Sequence, residues 1–292
     1  MSTTHDSRYK RLFSNPEMVK ELIESFVNLS FVKDLDFTTL ENTKKSFVTK
    51  TYKERESDII YKIKYKGEDA YIYLLLEFQS TVDYYMAVRM LRYIMEFYDD
   101  LTDNFKKRFK KLPPVFPIML YNGEAKWNAP ESITEVIDTS LIDGQEFIPS
   151  FRYFKIAENE FNEDALMKIN NAVAAVFYAE NTDFVEIGNK FDRIKTLLST
   201  EKPEIVNVFK SWLNNLFADR EDSDILLGVV DTLWKEEKPM LLASLERFQK
   251  KAIEDGKIEG KIETARNLKA MGLDVNLIAQ GVGLPVEEVE NL

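Results

Sequence analysis

Ala70–Phe78 (AYIYLLLEF) is almost unbroken in its apolar character, and no other stretch constrains the fold as strongly. A strand of this kind must be covered on both faces, which places it in the middle of a sheet with helices on either side. The stretch before it, Asp58–Lys66, alternates Ile59, Tyr61, Ile63 and Tyr65 with Asp58, Ile60, Lys62 and Lys64, as a strand does. Gly67-Glu68-Asp69 between them supplies a turn, so the two strands form a predicted hairpin.

The flanking sequence supplies the layers. Asn15 to Leu29 has Pro16 where a first helical turn tolerates it, and Val19, Leu22, Ile23 and Phe26 recur at helical spacing. Phe47–Tyr52 is a predicted strand. Asp83 caps a long predicted helix through about Phe109, with Met86, Met90, Tyr93, Ile94 and Phe97 on one side. Leu112–Tyr121 (LPPVFPIMLY) is a strand entered through prolines and closed by Asn122-Gly123, and Phe147–Ile156 is the last strand. This order indicates an α/β or α+β sandwich over residues 1–156. From Asn162 onward the pattern is helical: Leu166–Ala179, Phe184–Leu198, Pro203–Phe217, Asp224–Trp234 and Pro239–Met271. The expected division is 1–156, a helical region 157–255, and a tail 256–292. Gly256 and Gly260 recur in that tail, and Leu273–Leu292 reads as two short helices around Gly281–Pro285, similar to the start of a helix-turn-helix. No obvious basic recognition helix follows, so capping or assembly is at least as good a reading as contact with DNA.

Composition narrows the chemistry. There is no Cys and a single His, His5. Thiol catalysis, disulfides, Cys-based zinc sites and His-pair metal sites are therefore excluded, and a Ser-His-Asp triad has one position for its base. Carboxylates, Lys, Tyr or a hard metal held by oxygen remain. No apolar run approaches the roughly 18 residues that span a bilayer. The polar N-terminus lacks a signal-peptide core, so no membrane association is expected and the cytoplasm is the expected compartment.

The formal net charge is −11, from 39 basic and 50 acidic residues. Residues 1–150 hold 21 basic and 24 acidic side chains, whereas 151–292 hold 18 and 26. The acidity therefore lies mainly in the second half. Lys44 to Lys66 contains eight basic residues against three acids, Glu54, Glu56 and Asp58. A second cluster, Lys106, Lys107, Arg108, Lys110 and Lys111, is read as a solvated helix end.

Asp58 and Glu77 are the carboxylates that could carry chemistry. A turn centred on Glu68 would bring Asp58 opposite Phe78, plus or minus one. Side chains alternate along a strand, so Glu77 and Gln79 share a face, and Asp58 joins them only through a one-residue slip or a bulge. An ionised carboxylate ending an apolar strand is costly unless paired or bound to a cation. Two such carboxylates plus a carbonyl oxygen suit Mg²⁺ or Mn²⁺. From spacing alone, the alternative stays open that Asp58 caps its strand and Glu77 pairs with a surface lysine. His5-Asp6 suggests an HD phosphohydrolase, but that chemistry needs further His ligands that are missing. Asp6 is read as a helix cap, or as an accessory carboxylate near the metal.

Several stretches carry a family resemblance: HDSRYKRLF (residues 5–13), Ser57–Tyr61, Tyr73–Ser80 (YLLLEFQS), Met86–Tyr93 (MAVRMLRY), Pro117–Gly123 (PIMLYNG), and Gly256-x-x-x-Gly260 with Ile278-Ala279. In these the chain resembles the recombination-promoting nuclease (Rpn) family of putative transposases, within the PD-(D/E)XK nuclease superfamily. The resemblance implies a restriction-endonuclease-like core followed by helices, acting as a Mg²⁺-dependent DNA endonuclease. Asp58 and Glu77 would be the metal-binding catalytic acids. Gln79 stands where the superfamily usually has lysine, leaving Lys62 or Lys64 as substitutes to orient water. Arg89 and Tyr93, one helical turn apart, resemble a helical Q-x-x-x-Y element and could reach a phosphate and a base. DNA is the expected partner, with possible self-association through the C-terminal helices. The alternatives are a DDE-type transposase, for which no third acid stands out, and a catalytically impaired nuclease-fold protein that binds DNA or assembles.

Overall fold

The computed structural model describes residues 2–43, 58–77, 82–105, 111–141, 145–182, 184–218 and 275–292, with scattered positions between 234 and 269. These gather into two compact units, Met1–Asp183 with Lys190–Leu216, and Phe184–Asn189 with Phe217–Leu292.

The first unit opens with helices α1 (Ser2–Leu12) and α2 (Pro16–Phe26). Asn15 caps α2, its side-chain oxygen accepting from Glu17 N at 2.9 Å, and Pro16 fits the first turn without losing a needed N–H. Met18, Val19, Leu22, Ile23 and Phe26 make the buried stripe. Five strands follow: β1 (Leu35–Asn42), β2 (Asp58–Tyr65), β3 (Glu68–Glu77), β4 (Val115–Tyr121) and β5 (Phe154–Ala157), ordered β1-β2-β3-β4-β5. The first three run antiparallel, and β3, β4 and β5 run parallel. The sheet is therefore mixed, and the long helix α3 (Met86–Phe105) makes the crossover between β3 and β4.

Strand β1 is not among the sequence expectations, and the expected strand at 47–52 lies outside the described residues. β1 is half-exposed along its length and carries Asp36, Glu41 and Asn42, so its apolar alternation is weak. Its ladder also skips, from Asp36 opposite Lys64 to Glu41 opposite Lys62, with Thr39 Oγ1 accepting from Lys64 N at 2.9 Å.

The central strand is covered on both faces. Register parity assigns Tyr71, Tyr73, Leu75 and Glu77 to one face, which α3 covers through a core of Ile60, Tyr71, Met90, Tyr93, Phe97, Met119 and Tyr121. The opposite face carries Ile59, Tyr61, Ile63, Ile72 and Leu74, and α1 packs there, with Tyr61 Oη donating to Phe13 O at 2.9 Å.

The predicted helix 166–179 is two helices, α4 (Glu163–Ile169) and α5 (Ala172–Glu180). Asn170 takes a left-handed conformation (φ 54°) that stops α4, and the Asn171 side chain caps α5 on Ala174 N at 2.9 Å. Adjacent asparagines thus serve opposite ends of two helices. Small residues let α5 be buried along Ala172–Ala179. Its N-terminus is met by Glu21 of α2, whose Oε2 accepts from Ala172 N (2.9 Å) and Val173 N (3.4 Å). Burial and nearby Glu201 push the Glu21 carboxyl up to about 7. Helices α6 (Phe184–Leu197) and α7 (Pro203–Ala218) follow.

In the second unit, α8 (Val275–Val282) and α9 (Val286–Glu290) flank Gly283 (φ 68°) and Pro285, and pack Ile278, Ala279 and Val289 with Ala265. Lys269 Nζ donates to the carbonyls of Val289 (3.1 Å) and Glu290 (2.8 Å), a cation at a helix C-terminus. Among the described residues no helix is long and apolar enough to cross a membrane.

Candidate active site

The β2–β3 hairpin closes in two residues. Lys66 (φ 51°) and Gly67 (φ 86°) both have positive φ, the signature of a type I′ turn, and Tyr65 pairs with Glu68 directly across it. Glu68 and Asp69, expected in the turn, are strand residues instead. The tighter turn corrects the expected register: Asp58 pairs with Leu75, not with Phe78. Paired residues share a face, and Glu77 is two positions beyond Leu75, so Asp58 and Glu77 occupy the same face of the sheet without any slip or bulge. They are diagonal neighbours across the ladder, a relation with Cα positions about 7–8 Å apart in antiparallel sheets. On the other side Glu77 is level with Tyr121 of parallel β4. Carboxylates are, as a class, hard oxygen ligands of the kind divalent Mg²⁺ and Mn²⁺ take.

This face is the one covered by α3, whose N-terminal part carries Arg89 and Tyr93. Asp83 stands before the helix, and its side chain accepts from Tyr85 N at 2.9 Å and pairs with Arg89 Nη1 at 3.2 Å. The Arg89 guanidinium lies 5.9 Å, and that of Arg92 5.2 Å, from the Tyr93 ring centroid. Tyr93 itself is 6% exposed and belongs to the core under α3. Tyr84 and Tyr85 are exposed just ahead of the helix.

Lys62 and Lys64 share the Asp58 face, but the structure gathers them elsewhere. Their Nζ atoms lie 2.8 and 2.7 Å from the Asp69 carboxylate, which those hydrogen bonds hold below its ordinary range. At about 3.3 Å per strand residue, Lys62 is some 13 Å along β2 from Asp58 and Lys64 farther still. The hairpin therefore does not bring them beside the carboxylate pair. Gln79 lies outside the described residues, as does most of the second basic cluster. Asp6 lies within α1, past its first turn. Among the described residues no cluster of three or more acidic or histidine side chains is poised for a metal.

Sequence reading misses a buried polar cluster at the carboxyl ends of β4 and β5. Glu158, 2% exposed, directly follows β5, and Asn122 directly follows β4. Tyr9 Oη donates to Glu158 Oε2 at 2.9 Å, while Asn122 Nδ2 donates to Tyr9 Oη (2.7 Å) and Glu158 Oε2 (3.1 Å). Burial, reinforced by Glu180, raises the Glu158 carboxyl well above its usual range. Burial likewise pushes Glu180 up to about 7, against the pull of Arg8. Tyr9 and Asn122 both lie in the stretches that carry the family resemblance, which was the available signal. Asn122 alone reads as a turn residue.

A family model described as "Putative transposase, YhgA-like" matches residues 3–204. The chain is 34% identical over 124 residues to the recombination-promoting nuclease RpnD of Escherichia coli O157:H7, covering 42% of this chain and 46% of RpnD. It is 29% identical over 124 residues to the recombination-promoting nuclease RpnC of Escherichia coli K12, covering 42% and 40%. It is also similar to YjiP of the same strain, a putative inactive recombination-promoting nuclease-like protein, at 35% over 96 residues, covering 32% and 91%. The chain thus spans less than half the length of RpnD and RpnC. No solved structure matches.

Proposed function

The chain belongs to the YhgA-like putative transposase family, and from that membership we propose that it is a Mg²⁺-dependent DNA endonuclease that hydrolyses phosphodiester bonds in recombination or transposition. The observation that carries this reading is the β2–β3 register, which sets Asp58 and Glu77 on one face as diagonal neighbours. In this reading the two carboxylates hold one or two Mg²⁺ or Mn²⁺ ions. A bound ion of this type polarises the phosphodiester and lowers the pKa of a bound water, chemistry that needs neither His nor Cys. Gln79, in the position where the wider superfamily has lysine, is the third catalytic residue of this reading. Arg89, on the helix over the same face, supplies the cation that supports contact with the DNA backbone, and the buried Tyr93 ring beneath it holds the guanidinium in place. The sheet with α1 and α3 is then a restriction-endonuclease-like core, and the helices beyond residue 156 support self-association.

The test is incubation of the full chain with supercoiled plasmid and Mg²⁺ or Mn²⁺, beside Asp58→Asn and Glu77→Gln. Metal-dependent nicking that both substitutions abolish is the expected result. Cleavage that survives either one removes these residues from the site.

A second reading has a specific basis. Gln79 replaces the usual lysine, and the similar YjiP is named inactive. A catalytically impaired DNA-binding protein would shift a duplex in a gel yet nick nothing under any divalent ion.

A further inference from the structure

Arg8 and Tyr9 of α1, Glu158 after β5 and Glu180 at the end of α5 form a buried ionisable cluster that the nuclease reading does not use. We propose that Glu158 and Glu180 carry one proton between them, and that this proton latches α1 onto the carboxyl ends of β4, β5 and α5 and lets it loosen as pH rises. The hydrogens available at the centre of the cluster require such a proton. Tyr9 Oη has one, donated to Glu158 Oε2 at 2.9 Å. Asn122 Nδ2 has two, donated to Tyr9 Oη at 2.7 Å and to Glu158 Oε2 at 3.1 Å. Glu180 meets the same hydroxyl and amide. With those hydrogens committed, Glu180 meets Tyr9 Oη favourably only by donating a proton of its own to the remaining lone pair.

Charge leads to the same count. Two carboxylates against the Arg8 guanidinium leave one net negative charge in the interior, and one proton removes it. Glu158 Oε1 and Glu180 Oε1 are each buried with no hydrogen-bond partner among the described residues, so a second carboxylate charge finds no donor there to offset its desolvation. The proton belongs to the pair, because two interacting carboxyls titrate as a unit. Its loss falls on α1. β4 and β5 are tied into the sheet and α5 is buried along Ala172–Ala179, whereas α1 meets the unit through Tyr9, Leu12 and Phe13. Because α1 also carries both Arg8 and Tyr9, moving it admits water to the unpaired carboxylate with the least disruption. The latch is closed while the pair holds its proton and opens as pH climbs through about 7, where Glu180 titrates in the fold.

The test is hydrogen exchange of the full chain at pH 5.5 and 8.5 and constant ionic strength, read by mass spectrometry and corrected for the intrinsic pH dependence of exchange. Protection of residues 7–14 falls by about tenfold or more at the higher pH, while residues 115–121 of β4 keep theirs. Glu180→Gln, whose amide still donates to Tyr9 Oη, keeps residues 7–14 protected at both values. Glu21→Gln, which neutralises a raised carboxyl outside the cluster, leaves the fall in place. Equal protection of residues 7–14 at both pH values in the parent chain overturns the proposal without recourse to any variant. A fall that persists in Glu180→Gln places the titration elsewhere and also overturns it. So does a parallel fall in β4, which would make the event global unfolding rather than the loosening of one helix. None of these outcomes depends on nuclease activity.

Discussion

Asp58 sits opposite Leu75 in the β2–β3 ladder and one diagonal step from Glu77, because Lys66 and Gly67 close the hairpin in only two residues. A turn longer or shorter by one residue would leave both strands intact and place the carboxylates on opposite faces. The candidate site therefore depends on a turn at the far end of the hairpin.

Gly67 is the sensitive turn position. At φ 86° a side chain is strained although the space around it is open, so Gly67→Ala should cost about 1–2 kcal/mol. Lys66→Gly, which relieves the strain at φ 51°, should be neutral or stabilising. Urea unfolding of the two variants tests this, and equal midpoints would contradict the type I′ assignment.

Tyr93 separates packing from recognition. It is 6% exposed under α3, so Tyr93→Ala should destabilise by about 3 kcal/mol. Tyr93→Phe keeps the ring and should leave stability nearly unchanged. A loss of plasmid nicking in Tyr93→Phe without a shift in thermal midpoint would assign the hydroxyl to substrate contact.

The cap on α5 should matter more than a surface cap. Asn171 accepts from Ala174 N, donates to Ser25 Oγ at 2.8 Å, and is 8% exposed. Asn171→Ala should cost about 2 kcal/mol, the upper end for an N-cap. Asn171→Asp keeps the cap and should lose less. Chemical denaturation that ranked the two in reverse order would place the main contribution in the Ser25 contact.

Stability should fall as pH rises through neutrality. Glu21 and Glu180 are pushed up to about 7 in the fold, and Glu158 is raised as well, whereas an unfolded glutamate titrates near 4.3. Between those values the folded chain binds more protons than the unfolded one. Their contribution is thus complete below the unfolded value and lost as pH climbs through about 7. Asp69 and Asp138 are shifted downward and act at more acidic pH, outside this window. Thermal midpoints should decline from pH 5.5 to 8.5, and Glu180→Gln should flatten the curve. A midpoint that rises over that range would contradict the buried, protonated state of these groups.

Much of the fold is legible in local sequence because its signals are local. The apolar run at Ala70, the alternation from Asp58, the Pro16 entry to α2 and the Gly-Pro break before α9 each carry their own physical instruction, and each element stands where its pattern indicates. β1 is legible only after the fact, because a half-exposed edge strand with a large irregularity does not keep a clean alternation. The break between α4 and α5 is likewise hidden, since apolar periodicity runs through Asn170-Asn171 and only backbone conformation reveals that the two asparagines stop one helix and start the next.

By itself, then, the sequence determines most of the element types and, through the absence of Cys and a single His, narrows the available chemistry to carboxylates, Lys, Tyr or a metal held by oxygen. Tertiary structure decides which residues meet. The hairpin register depends on φ at two turn residues, and a difference of three positions reverses the face that Asp58 shares. The same holds for Lys62 and Lys64, drawn to Asp69, and for Tyr9, Asn122 and Glu158, joined across more than a hundred residues of chain. Such contacts are set by how strands align and layers close, and burial then shifts the carboxyl groups they enclose.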